Sequence, residues 1–398
     1  MTDAARLRVL TFTSLYPNAA QPRHGLFVAE RLRHLRASGR IEAMVVAPVP
    51  WFPSSSPRFG RYATYARVPA REEQDGMTVL HPRYLSIPKV GMSIAPGLMA
   101  AGARACVSAL RERIDLIDAH YFYPDGVAAV ALGRRLGKPV VITARGTDLN
   151  LVPAHRLPRR QIQNAAHAAA GLVTVSDALR ERLVELGVER DRVAVLRNGV
   201  DLARFAPAQR DAIRARLGLS GCVLLAVGNL VPEKDHALAL AALAEIPDAT
   251  LLVVGAGPLR DALEQDARAR GIDARVRFTG GVPQPTLIEY YNAADALVLT
   301  SRREGMPNVV LEALACGTPV VATRVGGVPE VIVDAAAGRL AAEATAGAVA
   351  DALRALFVDP PARTATRRYA ERFGWEATTL GQVELFTRIA RAANGESA

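Results

Sequence analysis

The sequence is short of cysteine, since its 398 residues include only three. Each cysteine stands alone in an apolar segment, which argues against a disulfide framework or a zinc site and fits a reducing compartment. Long apolar runs are also missing: no stretch approaches the roughly 18 uncharged residues of a membrane-spanning helix. The N-terminus passes from Thr2 and Asp3 directly into a strand-like run. That beginning predicts no signal peptide.

Lysine and aromatic residues are scarce as well. The chain has 49 cationic residues, of which only Lys89, Lys138 and Lys234 are lysine. Arginine presents a planar fork of donors and lysine a compact point charge, so a lysine inside a glycine-containing motif suggests a chemical role here. Aromatic residues make up 5% of the chain. No nucleic-acid recognition motif occurs, and nucleic-acid binding is therefore disfavoured.

The positive charge is concentrated in the first half of the chain. Residues 1–200 hold 28 Lys and Arg against 16 Asp and Glu, whereas residues 201–398 hold 21 against 23, so the halves carry +12 and −2. This asymmetry predicts two domains that meet different partners. Two interpretations of the basic half remain open: a solvated surface, or contact with an anionic membrane or an anionic substrate.

Short apolar runs, by contrast, are abundant, and they alternate with amphipathic helical patterns. Such strands, separated by helices, predict parallel sheets covered on both faces. Two successive series predict two doubly wound domains, with a seam near residues 198–207 and a ligand cleft at the carboxyl ends of the strands. The strand-like runs are 8–13, 43–48, 115–120, 139–144, 171–176, 192–197, 222–228, 249–255, 275–280, 295–300 and 319–324.

Two segments depart from this alternation. Residues 49–76 combine prolines, serines and aromatic residues over a length that exceeds an ordinary connection. They are predicted to form a functional or mobile loop. Residues 343–395 are predicted to be a helical tail without strands.

Two glutamates mark the stretch SRREGMPNVVLEALACGTPVVA at residues 301–322. Glu304 follows a strand, and Glu312 lies more than a turn inside the next helix, where Pro307 suits the first helical turn. The free N–H groups at the positive helix start favour a phosphate or a sugar hydroxyl. Carboxylates accept hydrogen bonds from vicinal hydroxyls, and a carboxylate in so apolar a helix is costly without a partner. The stretch therefore predicts a ligand site.

This stretch resembles the E-x7-E signature of the family 4 retaining glycosyltransferases, and the resemblance covers nearly the whole chain. It implies a GT-B fold, in which two Rossmann-like, doubly wound α/β domains face each other across a cleft and a C-terminal helix crosses back to the first domain. The implied bounds are 1–198 for an acceptor-binding domain, 199–372 for a donor-binding domain and 373–398 for that helix. Glu304 is implied to contact the donor sugar and Glu312 the ribose of its nucleotide.

The segment VGNLVPEKDH, residues 227–236, resembles the diphosphate motif G-R-L-x-x-x-K of the same family. Lys234 matches the lysine, whereas Asn229 stands in place of the arginine and brings no charge. Whether Arg302, Arg303 or another arginine supplies the missing charge is open. The residues implied to bind the donor are Glu312, Asn229, Gly305, Met306, Pro307, Asn308, Gly25 and Gly257.

Two positions of the first half, Gly25 and His120, also belong to the implied site. Gly25 opens a helix and lets a ligand approach the backbone closely. His120 ends a strand, where it is either a hydrogen-bonded core residue or, as the family implies, a neighbour of the transferred sugar. The implied catalytic residues are therefore Glu304, Lys234 and His120. The helix after Gly25 also carries a basic amphipathic face with Arg31, Arg33 and Arg36, which is either solvated or in contact with a membrane.

The segment ITARGTDLN, residues 142–150, resembles the family motif T-x-H-G-x-D. Arg145 replaces the histidine, and Asp148 matches the acid. Both residues are assigned to the acceptor side, where Arg145 pairs either with an anionic acceptor or with Asp148.

The resemblance implies transfer of a hexosyl unit from a nucleoside diphosphate sugar, with retention through front-face attack. The expected acceptor is a lipid-linked or cell-surface polysaccharide precursor, and the expected location is the cytoplasm, with possible contact at the inner membrane face. No D-x-D triplet occurs, so neither a metal nor a cofactor is expected. The alternatives are a nucleotide-sugar epimerase of the same fold and an inactive nucleotide-binding protein; a dehydrogenase is disfavoured because G-x-G-x-x-G is missing.

Overall fold

The computed structural model describes residues 6–86 and 91–395. The chain divides into two compact units, which we call unit 1 and unit 2. Unit 1 runs to Asn198 and resumes at Glu376, and unit 2 comprises Gly199–Trp375.

Unit 1 is an α/β unit whose strands are mostly followed by helices. Its strands are β1 (Leu7–Phe12), β2 (Ile41–Val46), β3 (Val49–Pro50), β4 (Arg71–Gln74), β5 (Met77–Leu80), β6 (Arg83–Tyr84), β7 (Leu116–His120), β8 (Val140–Ala144), β9 (Gly171–Thr174) and β10 (Val193–Val195). Its helices before unit 2 are α1 (Leu26–Ala37), α2 (Arg61–Arg67), α3 (Ala95–Ala109), α4 (Val127–Leu136), α5 (Thr147–Asn150), α6 (Arg156–Ala168) and α7 (Asp177–Glu185).

The main sheet of unit 1 has eight strands in the order β10-β9-β8-β7-β1-β2-β5-β4. All neighbours are parallel except β4, which runs antiparallel to β5 at the edge. Strands β7 and β8 are buried along their whole length, as expected for parallel strands covered on both faces. The strand order reverses at β1 and β7, so the loops after these two strands leave the sheet at the switch point where α/β folds bind ligands.

Unit 2 repeats this architecture with a smaller sheet. Its strands are β11 (Cys222–Val227), β12 (Ala249–Val254), β13 (Val276–Gly280), β14 (Ala296–Leu299), β15 (Val320–Ala322) and β16 (Gly338–Leu340). Its helices are α8 (Arg210–Leu217), α9 (His236–Ala244), α10 (Arg260–Ala269), α11 (Gln284–Ala293), α12 (Asn308–Ala315), α13 (Val328–Val331), α14 (Ala346–Val358) and α15 (Arg363–Ala370).

The sheet of unit 2 has the strand order β13-β12-β11-β14-β15-β16, and all neighbours are parallel. This is the order of the Rossmann fold, in which the ligand crevice lies where the order reverses. In unit 2 that point lies between β11 and β14.

The last helix, α16 (Trp375–Ala393), belongs to the core of unit 1. Phe386 is fully buried, and Val383 and Ile389 join it in one apolar cluster with the sheet and α1. The packing is close: a Cβ atom built on Gly171 of β9 would lie 2.6 Å from the Cδ1 atom of Ile389. The end of the chain is therefore a structural part of unit 1.

The prediction of two doubly wound α/β sheets is confirmed. Every strand predicted from the apolar runs is present, with ends within two residues of the predicted ones.

The prediction for residues 49–76 is wrong in part, because this segment contains β3, α2 and β4. Its aromatic residues order it: the ring centroid of Phe52 lies 5.3 Å from those of Phe59 and Tyr62. Within the described residues, no helix has the length and apolar character needed to cross a bilayer.

The position of α16 leads to a stability prediction. We expect Phe386→Ala to lower the free energy of unfolding of unit 1 by about 3–5 kcal/mol, because it leaves a cavity at a fully buried site. Denaturant unfolding measures the loss, and Arg388→Ala at an exposed position of the same helix is the control. Equal stability of the two variants would contradict the assignment of α16 to the core.

Candidate active site

The two loops at the switch point of unit 2 meet through one ion pair. Lys234 lies in the loop after β11, and Glu304 lies in the loop after β14. The Nζ atom of Lys234 donates a hydrogen bond to the Oε1 atom of Glu304 at 2.6 Å. The side chain of Glu304 is only 8% exposed and that of Lys234 is 27% exposed. The structure therefore brings together a carboxylate and an ammonium group that the sequence separates by 70 residues.

The loop that carries Glu304 is held from two sides. The Oγ atom of Ser301 donates to the Oε1 atom of Glu304 at 2.7 Å, so this oxygen accepts two hydrogen bonds. Gly326 has a φ of +50°, and a Cβ atom built there would lie 2.0 Å from the carbonyl oxygen of Glu304. The N–H of Gly327 donates to the carbonyl of Gly305 at 3.1 Å. The segment VGGVPE, residues 325–330, thus fixes the loop through backbone contact that only glycine permits.

The second glutamate has a specific partner. Glu312 lies in α12, and its Oε2 atom accepts a hydrogen bond of 2.7 Å from the hydroxyl of Tyr291 in α11. Tyr291 is fully buried, and its carbonyl in turn accepts a bond from Thr318 at 2.6 Å. Burial, followed by the nearby Glu312 carboxylate, raises the pKa of Tyr291, so the phenol remains a donor. The carboxylate of Glu312 is therefore oriented before any ligand arrives.

The start of α12 differs by one residue from the sequence prediction. The helix begins at Asn308, and Pro307 is the residue before it, with an extended backbone instead of a first-turn conformation. No side chain forms a cap at this helix start, within the described residues. Gly305, Met306 and Pro307 are buried beside it. The start of α12 thus keeps the positive end that suits an anionic or hydroxyl ligand.

The glycine turns of unit 2 bring backbone segments together. A Cβ atom built on Gly257 would lie 2.4 Å from the carbonyl oxygen of Leu230, so the turn after β12 packs directly on the loop after β11. Asn229 is exposed at this loop. Arg302 is engaged elsewhere, because its Nε atom donates to Asp235 at 2.7 Å. Arg303 is exposed, and neither arginine is shown to compensate for Asn229.

In unit 1, the loop after β1 is anchored by a buried acid. Gly25 precedes α1 with a φ of +68°, and a Cβ atom there would lie 2.2 Å from the carbonyl oxygen of Leu15. Asp125 accepts hydrogen bonds from the backbone N–H and the hydroxyl of Ser14. Burial raises the pKa of Asp125 to about 7. The glycine loop therefore depends on an acid from the loop after β7.

His120 ends β7, and the protein engages both of its ring nitrogens. The Nε2 atom lies 3.0 Å from the Oδ2 atom of Asp118, and the Nδ1 atom lies 2.6 Å from the Nη2 atom of Arg145. The residue is 1% exposed. Burial is the main cause that lowers the pKa of His120, to about 4, so the ring is neutral at pH 7. In this arrangement His120 offers no ring nitrogen to a ligand.

Arg145 and Asp148 interact in a way that the sequence did not specify. Asp148 is fully buried and accepts backbone hydrogen bonds from Phe122 at 2.7 Å, from Gly146 at 2.7 Å and from Arg145 at 3.1 Å. The guanidinium of Arg145 binds His120 and, at 2.9 Å, the Oδ1 atom of Asn198. Arg145 thus pairs with Asp148 through its backbone N–H, whereas its guanidinium binds other partners. Asp148 uses its oxygens to order the loop after β8.

The basic face assigned to α1 also needs correction. Arg31 is 2% exposed, and it donates to Gln382 at 2.8 Å and to the carbonyl of Leu196 at 3.0 Å. Arg33 is bonded to Glu30 at 2.5 Å within the helix. Arg31 therefore belongs to the interior of unit 1 and cannot contribute to a solvated or membrane-facing surface.

Sequence reasoning missed several side chains that hold the candidate site. Ser301 and Tyr291 hold the two glutamates, and Asp118 and Gln382 belong to the hydrogen bonds around His120. Asp118 lies two residues before His120 on one strand, so the period of two places both on the same face and could have identified it. Tyr291 and Gln382 have no motif, and only the fold brings them to the site.

Two family models match the chain. Residues 26–204 match the model described as Glycosyltransferase Family 4, and residues 209–373 match the model described as Glycosyl transferases group 1. Similar proteins include the Bacillus subtilis protein named for teichuronic acid biosynthesis, glycosyltransferase TuaC, which is 33% identical and covers 81% of this chain and 82% of its own length. A D-inositol 3-phosphate glycosyltransferase of Catenulispora acidiphila is 32% identical over 83% and 84% of the two chains.

Solved structures with the same fold include two distant proteins. Sucrose-phosphate synthase from Thermosynechococcus elongatus superposes with a TM-score of 0.80 at 22% identity, over 98% of this chain and 100% of that one. HepE of Anabaena in complex with UDP-glucose superposes with a TM-score of 0.72 at 20% identity, also over 98% and 100%. At this level of identity the likeness concerns the fold.

The close contact under Glu304 can be tested with two glycine variants. Gly326 and Gly271 both have positive φ, but nothing lies within 4 Å of a Cβ atom built on Gly271. We expect Gly271→Ala to cost about 1 kcal/mol for the backbone conformation alone. Gly326→Ala should cost roughly 2–4 kcal/mol, because it also displaces the Glu304 loop. Denaturant unfolding compares the two, and equal losses would contradict the close packing.

Proposed function

Because the chain belongs to the family 4 glycosyltransferases, we propose that it moves a hexosyl unit from a nucleoside diphosphate sugar to a glycan acceptor and retains the anomeric configuration. The observation that carries this proposal is the contact between Lys234 and Glu304 at the switch point of unit 2, where a Rossmann sheet binds its ligand. A fold relative that was solved with UDP-glucose gives further support.

The donor diphosphate lies, in this proposal, between Lys234 and the start of α12. The ammonium group of Lys234 has three donors and uses one on Glu304, so two remain for phosphate oxygens. The uncapped helix start adds backbone N–H groups and a positive potential. Glu304 then accepts a hydrogen bond from the donor sugar, and Glu312, oriented by Tyr291, accepts bonds from the ribose hydroxyls. Asn229 and Gly257 border the same loops.

The reaction is a front-face substitution at the anomeric carbon. The bond between this carbon and the leaving phosphate oxygen breaks, the bond to the acceptor oxygen forms, and the acceptor proton passes to the departing diphosphate. Stabilising that diphosphate is the main catalytic task. Glu304 is held by Lys234 and Ser301, so it acts by orienting the sugar and not as a nucleophile. The proposal assigns the required positive charge to the protein, without a metal or a cofactor.

We assign the acceptor to unit 1. Arg145 and the loop ordered by Asp148 follow β8, which lies beside β7. His120 ends β7, and the loop with Gly25 follows β1, the next strand of the sheet. One relative is named for teichuronic acid biosynthesis, and the other is named for D-inositol 3-phosphate. These names favour a polar or anionic acceptor, and a lipid-linked or cell-surface polysaccharide precursor fits them.

The catalytic proposal predicts a large effect at two positions. Glu304→Gln and Lys234→Met should each reduce transfer at least about 100-fold, as the loss of a group that stabilises the transition state does. The control is Arg354→Gln, which breaks an exposed ion pair of unit 2 with Asp351 and should leave the rate unchanged. The rate of transfer from UDP-, GDP- and ADP-sugars is measured as the release of the nucleoside diphosphate, with and without EDTA.

Other outcomes of this assay would contradict specific parts of the proposal. Normal rates in both variants would show that the ion pair is not part of the machinery. Loss of activity in EDTA would show a metal requirement. A rearranged or free sugar formed quickly without acceptor would identify an epimerase, and an inverted product would exclude front-face retention.

We further propose that unit 1 contacts an anionic membrane from the cytoplasm. Residues 43–71, 76–111 and 149–176 contain no Asp or Glu. Backbone and side-chain bonds join these segments: the N–H of Trp51 donates to the carbonyl of Tyr84 at 2.7 Å, and Gln161 donates to the carbonyl of Ser93 at 2.8 Å. We call their exposed surface the apolar–basic face. Its exposed members are Trp51, Phe59, Leu85, Met92, Ile94 and Leu157, with Arg58, Arg67, Arg104, Arg156, Arg159 and Arg160.

The apolar–basic face has the chemistry of an interfacial site. Exposed apolar groups enter the headgroup region, and each arginine near an anionic surface adds roughly 1 kcal/mol. The three cysteines are free thiols, which is compatible with the reducing cytoplasm.

Liposome flotation tests the apolar–basic face. We expect binding to vesicles with anionic lipids that falls with added salt, because charge attraction is screened. The triple variant Trp51→Ser, Leu85→Ser, Ile94→Ser should lose most of it. The matched control is Val333→Ser with Val358→Ser, which alters exposed apolar residues of unit 2. Salt-insensitive binding, or equal loss in both variants, would contradict the proposal.

A further inference from the structure

A chain of hydrogen bonds crosses the interior of unit 1 from α16 to the loop after β8. The Nε atom of Arg31 donates to the Oε1 atom of Gln382 at 2.8 Å. The Nε2 atom of Gln382 donates to the Oδ2 atom of Asp118 at 3.2 Å. The same oxygen lies 3.0 Å from the Nε2 atom of His120, whose Nδ1 atom lies 2.6 Å from Arg145.

This chain lies in the protein interior. Arg31 and Gln382 are each 2% exposed, and Asp118 and His120 are each 1% exposed. Burying polar and charged groups costs free energy, and a core position would be more stable with apolar packing. The neighbours of Gln382 on the buried side of α16 include the apolar residues Val383 and Phe386. A polar chain kept at this cost points to a role beyond stability.

The donors and acceptors of the chain allow one arrangement of protons. An ionised carboxylate only accepts hydrogen bonds, so the Nε2 atom of His120 must donate to Asp118. In a neutral ring the Nδ1 atom is then an acceptor. A guanidinium has only donors, so the Nη2 atom of Arg145 fits this lone pair. Asp118 thus fixes the tautomer of His120, and that tautomer is the one that holds Arg145.

Arg145 is the least buried member of the chain of hydrogen bonds. The residue is half-buried, whereas the other four members are buried. Asn198 accepts from its Nη1 atom at 2.9 Å, and the ring of Phe27 lies 5.3 Å from its guanidinium carbon. Its Nε–H is buried and has no acceptor in the described residues. The contacts with His120, Asn198 and Phe27 therefore hold the guanidinium in one orientation.

We propose that Gln382 is a positioning residue for Arg145: it fixes Asp118, which fixes His120, which holds the guanidinium toward the acceptor. This inference rests on the acceptor-side role proposed above for Arg145. It also gives His120 a positioning role, because both of its ring nitrogens are used by the protein.

Only an amide at position 382 satisfies both neighbours. The carbonyl end accepts from Arg31, and the NH2 end donates to Asp118. Methionine has a similar shape but makes neither bond, and glutamate keeps the bond to Arg31 but places a second carboxylate against Asp118. These two substitutions therefore break the chain in different ways. Thr387→Val is the matched control, because it removes a hydrogen bond of the same helix, from Thr387 to the carbonyl of Val383, outside the chain.

The first readout is nuclear magnetic resonance of the full chain labelled with 15N at histidine and arginine. The His120 signals are assigned by their loss in His120→Asn. We expect the neutral tautomer with the proton on Nε2 at pH 7, which persists at pH 6 because burial lowers the pKa of His120 to about 4. Arg31 and Arg145 also lower this pKa, and Asp118 raises it. In Gln382→Met the His120 and Arg145 signals should shift or broaden, and in Thr387→Val they should not.

The second readout is kinetic. Gln382→Met should lower kcat/KM for the acceptor about tenfold, which corresponds to the loss of two buried hydrogen bonds. The KM for the donor should stay unchanged, because Lys234, Glu304 and Glu312, to which the proposal assigns the donor, lie in unit 2. If Gln382→Met does not fold, Gln382→Glu takes its place with the same expectation.

Two results would overturn the proposal: a His120 proton on Nδ1 in the wild type, or wild-type resonances and acceptor kinetics in both Gln382 variants. The resonance test needs no turnover, so it decides the proposal even if no transferase activity is found. Normal activity in Glu304→Gln would instead contradict the proposed function. The resonance test of Gln382 does not depend on that result.

Discussion

The ion pair between Lys234 and Glu304 is the contact on which the candidate donor site depends. Glu304 is nearly buried, and removing one member of such a pair leaves an uncompensated charge, a loss of about 3–5 kcal/mol in buried pairs. The pair also sets a condition for the donor. A diphosphate must approach a carboxylate of the same sign, so the remaining donors of Lys234 and the start of α12 have to outweigh that repulsion. The surrounding glycines allow the loops to pack closely. In the proposed complex, the ammonium group of Lys234 can therefore contact both the carboxylate of Glu304 and the diphosphate.

Both units use buried partners to orient polar groups before a ligand binds. In unit 2, Tyr291 holds Glu312 and Ser301 holds Glu304. In unit 1, Asp148 joins the segments after β7 and β8 through three backbone N–H groups, while Asp118 orients His120. Such groups are already oriented and need no reorganisation during the reaction. This preorganisation is the main source of electrostatic catalysis. The energetic cost of burying them is met by the apolar packing of each sheet and, in unit 1, of α16.

The sequence predicted what depends on local pattern. Apolar runs located the strands to within two residues. The spacing of Glu304 and Glu312 around a helix start singled out the loop after β14, and its role in donor binding stays a prediction. It could not predict contacts between distant positions. Arg31 has the spacing of an exposed basic face, yet it is buried. The side-chain oxygen of Gln382 and the carbonyl of Leu196 accept its hydrogen bonds in the interior. Gln382 itself lies 264 residues from Asp118, and no motif marks it. The pairing of the Arg145 guanidinium with His120 instead of Asp148 likewise follows from the order of the strands.

The central claim is that a sugar diphosphate binds in unit 2 at the contact between the loops after β11 and β14. A crystal structure of the protein with a bound nucleoside diphosphate sugar tests it most directly. The account predicts phosphate oxygens within hydrogen-bond distance of the Nζ atom of Lys234, the sugar against Glu304 and the ribose hydroxyls against Glu312. A nucleotide bound elsewhere, with the pair of Lys234 and Glu304 undisturbed and out of reach, would contradict it.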